Sequence, residues 1–349
     1  MTKKVLVKLF GWVLRRIIGV RSAISTAEWW YCRRSHYSGR SVPASRSMMR
    51  FQIINYHRVL PLQDPLSIDI IELNQFERQI KVLAQNFRVI TLPQLMDEIH
   101  TGTLQSDTLC ITMDDGYRDN YMYAYPILQK YGVPATIFLA SGVIGKPGLL
   151  WHDRVLQIVR AAKVARVVWP LNGRADWNFS RGAERVGFAL SLLSSLKRLP
   201  PVLRDQEIDC LLSICGLNPE ELPNNEMLSW DEVREMHRHG MAFGSHTVNH
   251  PILALLSDEE IAFELSESKR HIEEQIDTTI DSFAYPNGRL EDFNPRVQYL
   301  LQHHGYRCAV TTVWGMNSRC DDPFAWKRTP AWETDIDRFT AHLVTLRMA

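Results

Sequence analysis

Two aspartates in succession, Asp114 and Asp115, close the apolar run Thr108–Met113 and are followed by Gly116. Successive side chains of a strand point to opposite faces, so two carboxylates at its end diverge and can take different roles. Gly116 permits a sharp turn there. Further along, Ser245-His246-Thr247-Val248-Asn249-His250 holds two histidines four residues apart. On a helical turn that spacing puts both imidazoles on one face, where they can share a divalent metal. The glutamate of an HExxH motif is missing, which excludes a thermolysin-like zinc hydrolase. Asp115 with His246 and His250 makes an Asp/His/His set, a zinc site with positions left open for water and substrate. A third element, Phe283-Ala284-Tyr285-Pro286-Asn287-Gly288-Arg289, runs an apolar strand into a Pro-Asn-Gly turn. Backbone N–H groups exposed by such a turn can hold a developing oxyanion.

These residues need a frame. Phe51–His57 reads as a strand with a polar tip, and further strands are expected at Thr108–Met113, Pro134–Ala140, Met241–Gly244, Ser282–Tyr285 and Arg307–Val313. Helices are expected between them, over 74–86, 91–99, 117–130 (kinked at Pro126), 230–239, 258–276 and 295–304. Short strands that are apolar on both faces and alternate with helices indicate a parallel sheet covered by helices. His57, Asp114, Asp115, His246 and the Pro286-Asn287 turn then collect at the C-terminal ends of strands, the active edge of such folds. Neither GxGxxG nor GxxxxGK[ST] occurs, so a nucleotide-binding fold is not supported. Residues 146–226 interrupt the alternation. Helical stretches at 151–168 and 183–199 flank the turn Asn172-Gly173-Arg174, which reads as a mostly helical insertion, either a substrate lid or a packing module.

The chain has 349 residues and a net charge of +1. That balance hides an asymmetry. Residues 1–50 carry 11 Lys and Arg against the single acid Glu28, whereas the rest carry 29 against 38. A mildly acidic body argues against nucleic-acid binding. The basic segment includes Phe10, Trp12 and several leucines, and Lys8, Arg15 and Arg16 interrupt its apolar run. It therefore reads as neither a signal peptide nor a spanning helix. A short amphipathic element over residues 1–20 would suit peripheral contact with an anionic membrane. The expected location is the cytoplasm or the inner membrane face. The six cysteines form no CxxC pair, and Cys110 and Cys308 sit in apolar stretches as small core residues.

From about Phe51 to Pro330 the chain resembles the NodB-homology polysaccharide deacetylases, carbohydrate esterase family 4, with the 146–226 insertion inside the match. The resemblance rests on Thr112-Met113-Asp114-Asp115-Gly116 and His246-Thr247-Val248-Asn249-His250. Tyr56-His57-Arg58-Val59, Pro134-Ala135-Thr136-Ile137-Phe138 and Phe283-Ala284-Tyr285-Pro286-Asn287-Gly288 support it. It implies a distorted (β/α)7 barrel as the α/β fold, spanning residues 51–340, with 1–50 as a basic leading segment and linker. It also implies metal-dependent removal of N-acetyl groups from a polysaccharide or its lipid-linked precursor. Asp114 then corresponds to the general base, and Asp115, His246 and His250 to the ligands of one divalent metal, zinc. Ala284 stands where the family has an arginine, so Arg328 is the candidate partner for Asp114. The backbone N–H of Asn287 keeps the oxyanion role. The late Leu-x-His motif that supplies the family's general acid is not clear. His342 is in the right region but the wrong context, and His57 is the stronger candidate. Trp151, Trp177, Trp230, Trp314, Trp326 and Trp332 offer sugar-stacking faces. An O-acetyl esterase or non-sugar amidase on the same metal, or a non-catalytic carbohydrate-binding relative, are the alternatives.

Overall fold

The computed structural model describes residues 49–348 apart from 64, 67–69 and 225. The basic element at 1–20 and the linker after it lie outside the described residues. Among those described, no helix is long and apolar enough to cross a membrane.

One curled, mainly parallel sheet organises the body. It contains β1 (Arg50–Tyr56), β4 (Arg88–Ile90), β5 (Thr108–Met113), β6 (Thr136–Leu139), β9 (Ala242–Ser245), β10 (Ser282–Ala284), β11 (Cys308–Val310), β12 (Asn317–Ser318) and β13 (Thr329–Pro330). The order is β11-β10-β9-β6-β5-β1-β12, with β4 on β5 and β13 on β1. A separate short pair joins β2 (Arg58–Leu60) to β3 (Ile70–Glu72). The stretch around β13 decides how far the sheet curls. Trp326 bridges to Val310 of β11, and Thr329 and Pro330 pair with Ile54 and Asn55 of β1. A single segment thus spans from the last parallel strand back to the first. With β1, β5, β6, β9, β10 and β11 it makes seven positions around a distorted (β/α) barrel.

Local sequence accounts for most of the covering helices. In α1 (Leu73–Asn86), Phe76, Ile80 and Leu83 fall on one buried face. A capping box between Thr91 and Gln94 starts α2 (Leu92–Thr101), and Pro93 sits in its first turn. The helix expected over 117–130 forms, but a π-turn, Asn120–Ala124, interrupts it before α3 (Tyr125–Tyr131). Pro126 has no N–H to donate, and the wider turn before it absorbs that loss. Capping boxes also open α7 (Trp230–Arg238) at Ser229 and α8 (Asp258–Ile276) at Ser257. The remaining body helices are α9 (Pro295–His303) and α10 (Ile336–Met348).

The insertion differs from expectation in one part. Helix α4 (Trp151–Ala161) stops before residue 168, and Arg166–Leu171 is a strand, β7, that forms a hairpin with β8 (Arg174–Asn178). Val167, Trp169 and Leu171 alternate inward along β7. Asn172 and Gly173 both have positive φ, 50° and 78°, as the tight hairpin turn requires. Two further helices, α5 (Gly182–Leu196) and α6 (Pro201–Ile214), complete it. Val155, Ile158, Phe188, Leu192, Ile208 and Leu211 give this part a hydrophobic cluster of its own. Cys110 and Cys308 are buried, and Cys210 and Cys320 are exposed.

Candidate active site

β5 delivers the aspartates. Asp115 has φ 73°, a left-handed conformation unusual for a side chain with a Cβ. Its carboxylate meets His246 and His250, whereas that of Asp114 meets Arg328. Gly116 follows at φ 83°, and a Cβ there would lie 2.7 Å from Leu139 Cδ2. The turn is therefore tied to glycine on two counts.

The two histidines are not on a helical turn. Residues 246–250 form an irregular loop after β9, with positive φ at Thr247 (69°) and His250 (54°). What holds this shape is a buried carboxylate on α8. Glu264 Oε2 accepts the backbone N–H groups of Val248 (2.7 Å) and Asn249 (3.0 Å), and Oε1 accepts Asn249 Nδ2 (2.7 Å). Thr247 Oγ1 accepts the His250 N–H at 2.9 Å. Replacing Glu264 by Ala should weaken divalent-metal binding about 10–100-fold, the usual effect of losing a group that orients metal ligands. Competition against a chelating dye measures this, and an unchanged affinity would exclude the role.

The loop brings His246 Nε2 to 3.5 Å and His250 Nε2 to 3.3 Å from Asp115 Oδ1. Ligand atoms of all three residues lie within 4.8 Å of one another, and all three residues are buried. His246 Nδ1 is 2.7 Å from the Ala284 carbonyl oxygen. A carbonyl only accepts, so Nδ1 carries the proton and Nε2 turns a lone pair toward Asp115. Asp115 Oδ1 is buried without a hydrogen-bond partner. Lone pairs facing each other in a buried site are costly unless a cation lies between them. Ligand spacings of this size match a tetrahedral metal with bonds of about 2.1 Å. The residues therefore fit a divalent metal.

Burial opposes charge on Asp115, yet interaction with His250 first and His246 second outweighs it where these imidazoles carry a proton, and holds the carboxyl well below its usual range. Burial, helped by the neighbouring His250, pushes His246 down to about 4. A neutral imidazole is the form that binds metal. In metal-free protein this has a cost with a definite sign. The folded-state value lies below the ordinary 6.5, so as pH falls from 6.5 toward 4 the unfolded chain takes up a proton that the folded chain refuses. Stability should fall through that window and level off below it as far as this group is concerned. Denaturant midpoints of metal-free protein, compared with His246→Gln, measure the difference. Equal falls in both proteins would overturn the assignment.

Asp114 is held differently. Arg328, on the segment that closes the curl, is 1% exposed. Its Nη1 and Nη2 donate to Asp114 Oδ1 and Oδ2, both at 2.7 Å. Its remaining donors go to Asn55 Oδ1, Thr112 Oγ1 and the Thr311 carbonyl. Burial works against an ionised Asp114, but the guanidinium prevails and lowers its pKa. His57 Nε2 stands 3.7 Å from Asp114 Oδ2. The His57 carbonyl accepts Asn120 Nδ2 at 2.8 Å, so the π-turn serves to place this loop. Asn287, with φ 60°, lies at the turn after β10. Its backbone N–H has no hydrogen-bond partner among the described residues, and its Nδ2 is buried and unpartnered.

One cavity of about 530 Å³ joins His57, Asp114, Asp115, His246, His250, Asn287 and Arg328. Sequence reasoning missed what the insertion adds to it. Asp153, at the start of α4, accepts Tyr117 Oη at 2.8 Å, and His152 Nε2 lies 3.1 Å from the same hydroxyl. Tyr117 has one proton and gives it to Asp153, so His152 Nε2–H must be the donor to it. The His152 ring meets His250 edge-on, with centroids 5.1 Å apart. Arg58 lies 4.4 Å over the Tyr117 ring and pairs with Asp119 and Glu226. The adjacency Trp151-His152-Asp153 was visible, but only tertiary folding brings it to the aspartates. Of the tryptophans, Trp151 and Trp332 line the cavity, while Trp177 and Trp326 are buried in hydrophobic clusters. Trp230 is partly buried, and exposed Trp314 stands beside His342. His342 is exposed and is not among the residues lining the cavity.

Comparison with known proteins places these features. A family model described as "Polysaccharide deacetylase" matches residues 101–309. YxkH of Bacillus subtilis (strain 168), which its name groups with polysaccharide deacetylases, is 23% identical over 256 residues, covering 73% of this chain and 63% of YxkH. The chain thus spans less than two thirds of that relative's length. A poly-beta-1,6-N-acetyl-D-glucosamine N-deacetylase of Staphylococcus aureus (strain N315) is 36% identical over 74 residues, 21% of this chain and 26% of that protein. Among solved structures, IcaB from Ammonifex degensii superposes with a TM-score of 0.56 at 19% identity, covering 84% of this chain and 96% of that one. The Streptococcus pyogenes deacetylase PplD gives 0.53 at 19% identity, covering 80% and 92%. These two likenesses concern the fold. The family match covers more than half of the chain and includes the strand ends that carry Asp114, Asp115, His246 and His250, and the chain belongs to the NodB-homology polysaccharide deacetylase family.

Proposed function

We propose that this chain hydrolyses N-acetyl groups on amino sugars of a polysaccharide or its precursor, releasing acetate, with one divalent metal, zinc. The observation that carries this reading is the buried Asp115/His246/His250 set with a second carboxylate, Asp114, on the adjoining residue and in the same cavity. The S. aureus relative is named for removal of an N-acetyl group from such a sugar, which supports the substrate class.

Asp115, His246 and His250 would hold the metal, which when bound supplies a Lewis acid for the acetamide carbonyl and lowers the pKa of water. Asp114, kept ionised by Arg328, takes a proton from the attacking water. The backbone N–H of Asn287 donates to the carbonyl oxygen as negative charge develops on it. His57, beside Asp114, donates a proton to the departing amine. Arg328 touches no reacting atom, and its work is to orient and charge Asp114. The insertion encloses the site from the side of His152.

The test is acetate release by full-length protein, stripped of metal and then given zinc, from N-acetylglucosamine oligosaccharides and from O-acetylated sugars. Zinc-dependent release from the N-acetyl substrates is expected. Release only from O-acetyl esters would replace the amide reading by an esterase. Failure to bind metal would make the chain a carbohydrate-binding relative.

A further inference from the structure

The cavity carries more positive charge than the hydrolysis uses. Among its described lining residues Arg58, Arg160, Lys197, Arg289 and Arg328 are cationic, against the carboxylates Asp114, Asp115 and Asp153. The body as a whole has the opposite balance, with 29 Lys and Arg against 38 acids after residue 50. Arg328 is committed to Asp114, and Arg58 to Asp119 and Glu226. Lys197 and Arg289 have no such part in the chemistry.

These two residues come from different elements and meet at one buried acid. Lys197 ends the helix α5 of the insertion, and Arg289 follows the Asn287 turn after β10. Asp292 is 3% exposed. It takes the Lys197 ammonium at 3.2 Å and the backbone N–H of Arg289 at 3.0 Å. The single carboxylate is thus shared, and the Arg289 side chain is exposed with no ion pair among the described residues. Both residues line the same cavity, and a guanidinium fork and an ammonium are the side-chain groups that bind carboxylate or phosphate oxygens. A neutral sugar offers such groups little in exchange for their water. A cavity whose lining holds more cations than carboxylates also draws in anions.

We infer that Lys197 and Arg289 form an anion subsite beside the Asn287 turn, and that the acetylated saccharide carries a carboxylate or phosphate near the acetamido group. This rests on the deacetylase reading and narrows its substrate class. The anion has two sources, a uronate within the sugar chain or the phosphate that links a sugar to a carrier.

Three probes separate them: an all-N-acetylglucosamine hexasaccharide, a hexasaccharide alternating N-acetylglucosamine with glucuronate, and prenyl diphosphate N-acetylglucosamine. Binding is measured by calorimetry on full-length metal-free protein, and acetate release on the zinc-loaded protein. One anionic probe should bind at least about tenfold tighter than the neutral one, and high salt should shrink that preference. Arg289→Glu should reduce the preference by about tenfold, and Lys197→Gln by about threefold. Arg289 is exposed, so its substitution does not threaten folding. Which anionic probe responds names the source. Equal binding of the neutral probe, or a preference that Arg289→Glu leaves in place, overturns the subsite. Acetate release without anionic preference removes the subsite and leaves deacetylation standing. Anionic preference without release from any probe supports the subsite and overturns deacetylation.

Discussion

Asp114→Asn is expected to keep its metal and to lose at least about 100-fold in acetate release, the lower range of what acid–base catalysis contributes. The substitution keeps the shape of the side chain, and its carbonyl oxygen can still accept from Arg328. It cannot take a proton from water at neutral pH. The metal ligands are on other residues, so occupancy should stay near that of the unaltered protein. Elemental analysis of the purified variant checks occupancy, and initial rates of acetate release check turnover. A variant with full metal and an undiminished rate would remove Asp114 from the mechanism.

Arg328→Met should have the largest effect on stability. The guanidinium is 1% exposed and makes two 2.7 Å bonds to a carboxylate that is itself buried. Removing one partner leaves the other charge buried and unpaired, a loss of about 3–5 kcal/mol. Asn55, Thr112 and the Thr311 carbonyl lose partners as well. Lysine is no substitute, because the contact is a two-pronged fork and an ammonium is a point. The variant also changes Asp114. Burial raises its pKa, and the guanidinium, with lesser help from His246 and His57, brings it below the ordinary value. With Arg328 gone that value rises, so the acid limb of the rate profile should move to higher pH. The same pair makes stability depend on pH. Its contribution is complete above the unfolded carboxyl value and is lost as pH falls through the lower folded one. Denaturant unfolding and a pH–rate profile of Arg328→Met are the measurements. A stability within about 1 kcal/mol of the parent would contradict the buried-pair account.

Legibility in the sequence followed the range of the interactions. The strand that carries the aspartates was readable because Thr108–Met113 is buried on both faces and so is apolar throughout. Helix α8 was readable because its start is marked by Ser257 and Glu260, three residues apart, and its buried face repeats at Ile261, Leu265 and Ile272. The loop of the two histidines was not. Spacing alone suggested a helical turn, but the backbone is set by Glu264, which follows His250 by fourteen residues and acts through three hydrogen bonds. The hairpin in the insertion was missed although it had a signal. Val167, Trp169 and Leu171 alternate, and Asn172-Gly173 is a hairpin turn. The helical stretch expected over 151–168 overlaps the first half of this strand. Asp292 between Lys197 and Arg289, and Tyr117 between His152 and Asp153, depend on the insertion folding back onto the strand ends. No local pattern encodes such pairings.

The most direct test of the account is to follow metal content and acetate release together in the unaltered protein and in His250→Ala. About one zinc per chain is expected, with release that rises in proportion to occupancy as stripped protein is reloaded, and loss of both in the variant. Release that persists after stripping, or His250→Ala retaining full zinc, would contradict it.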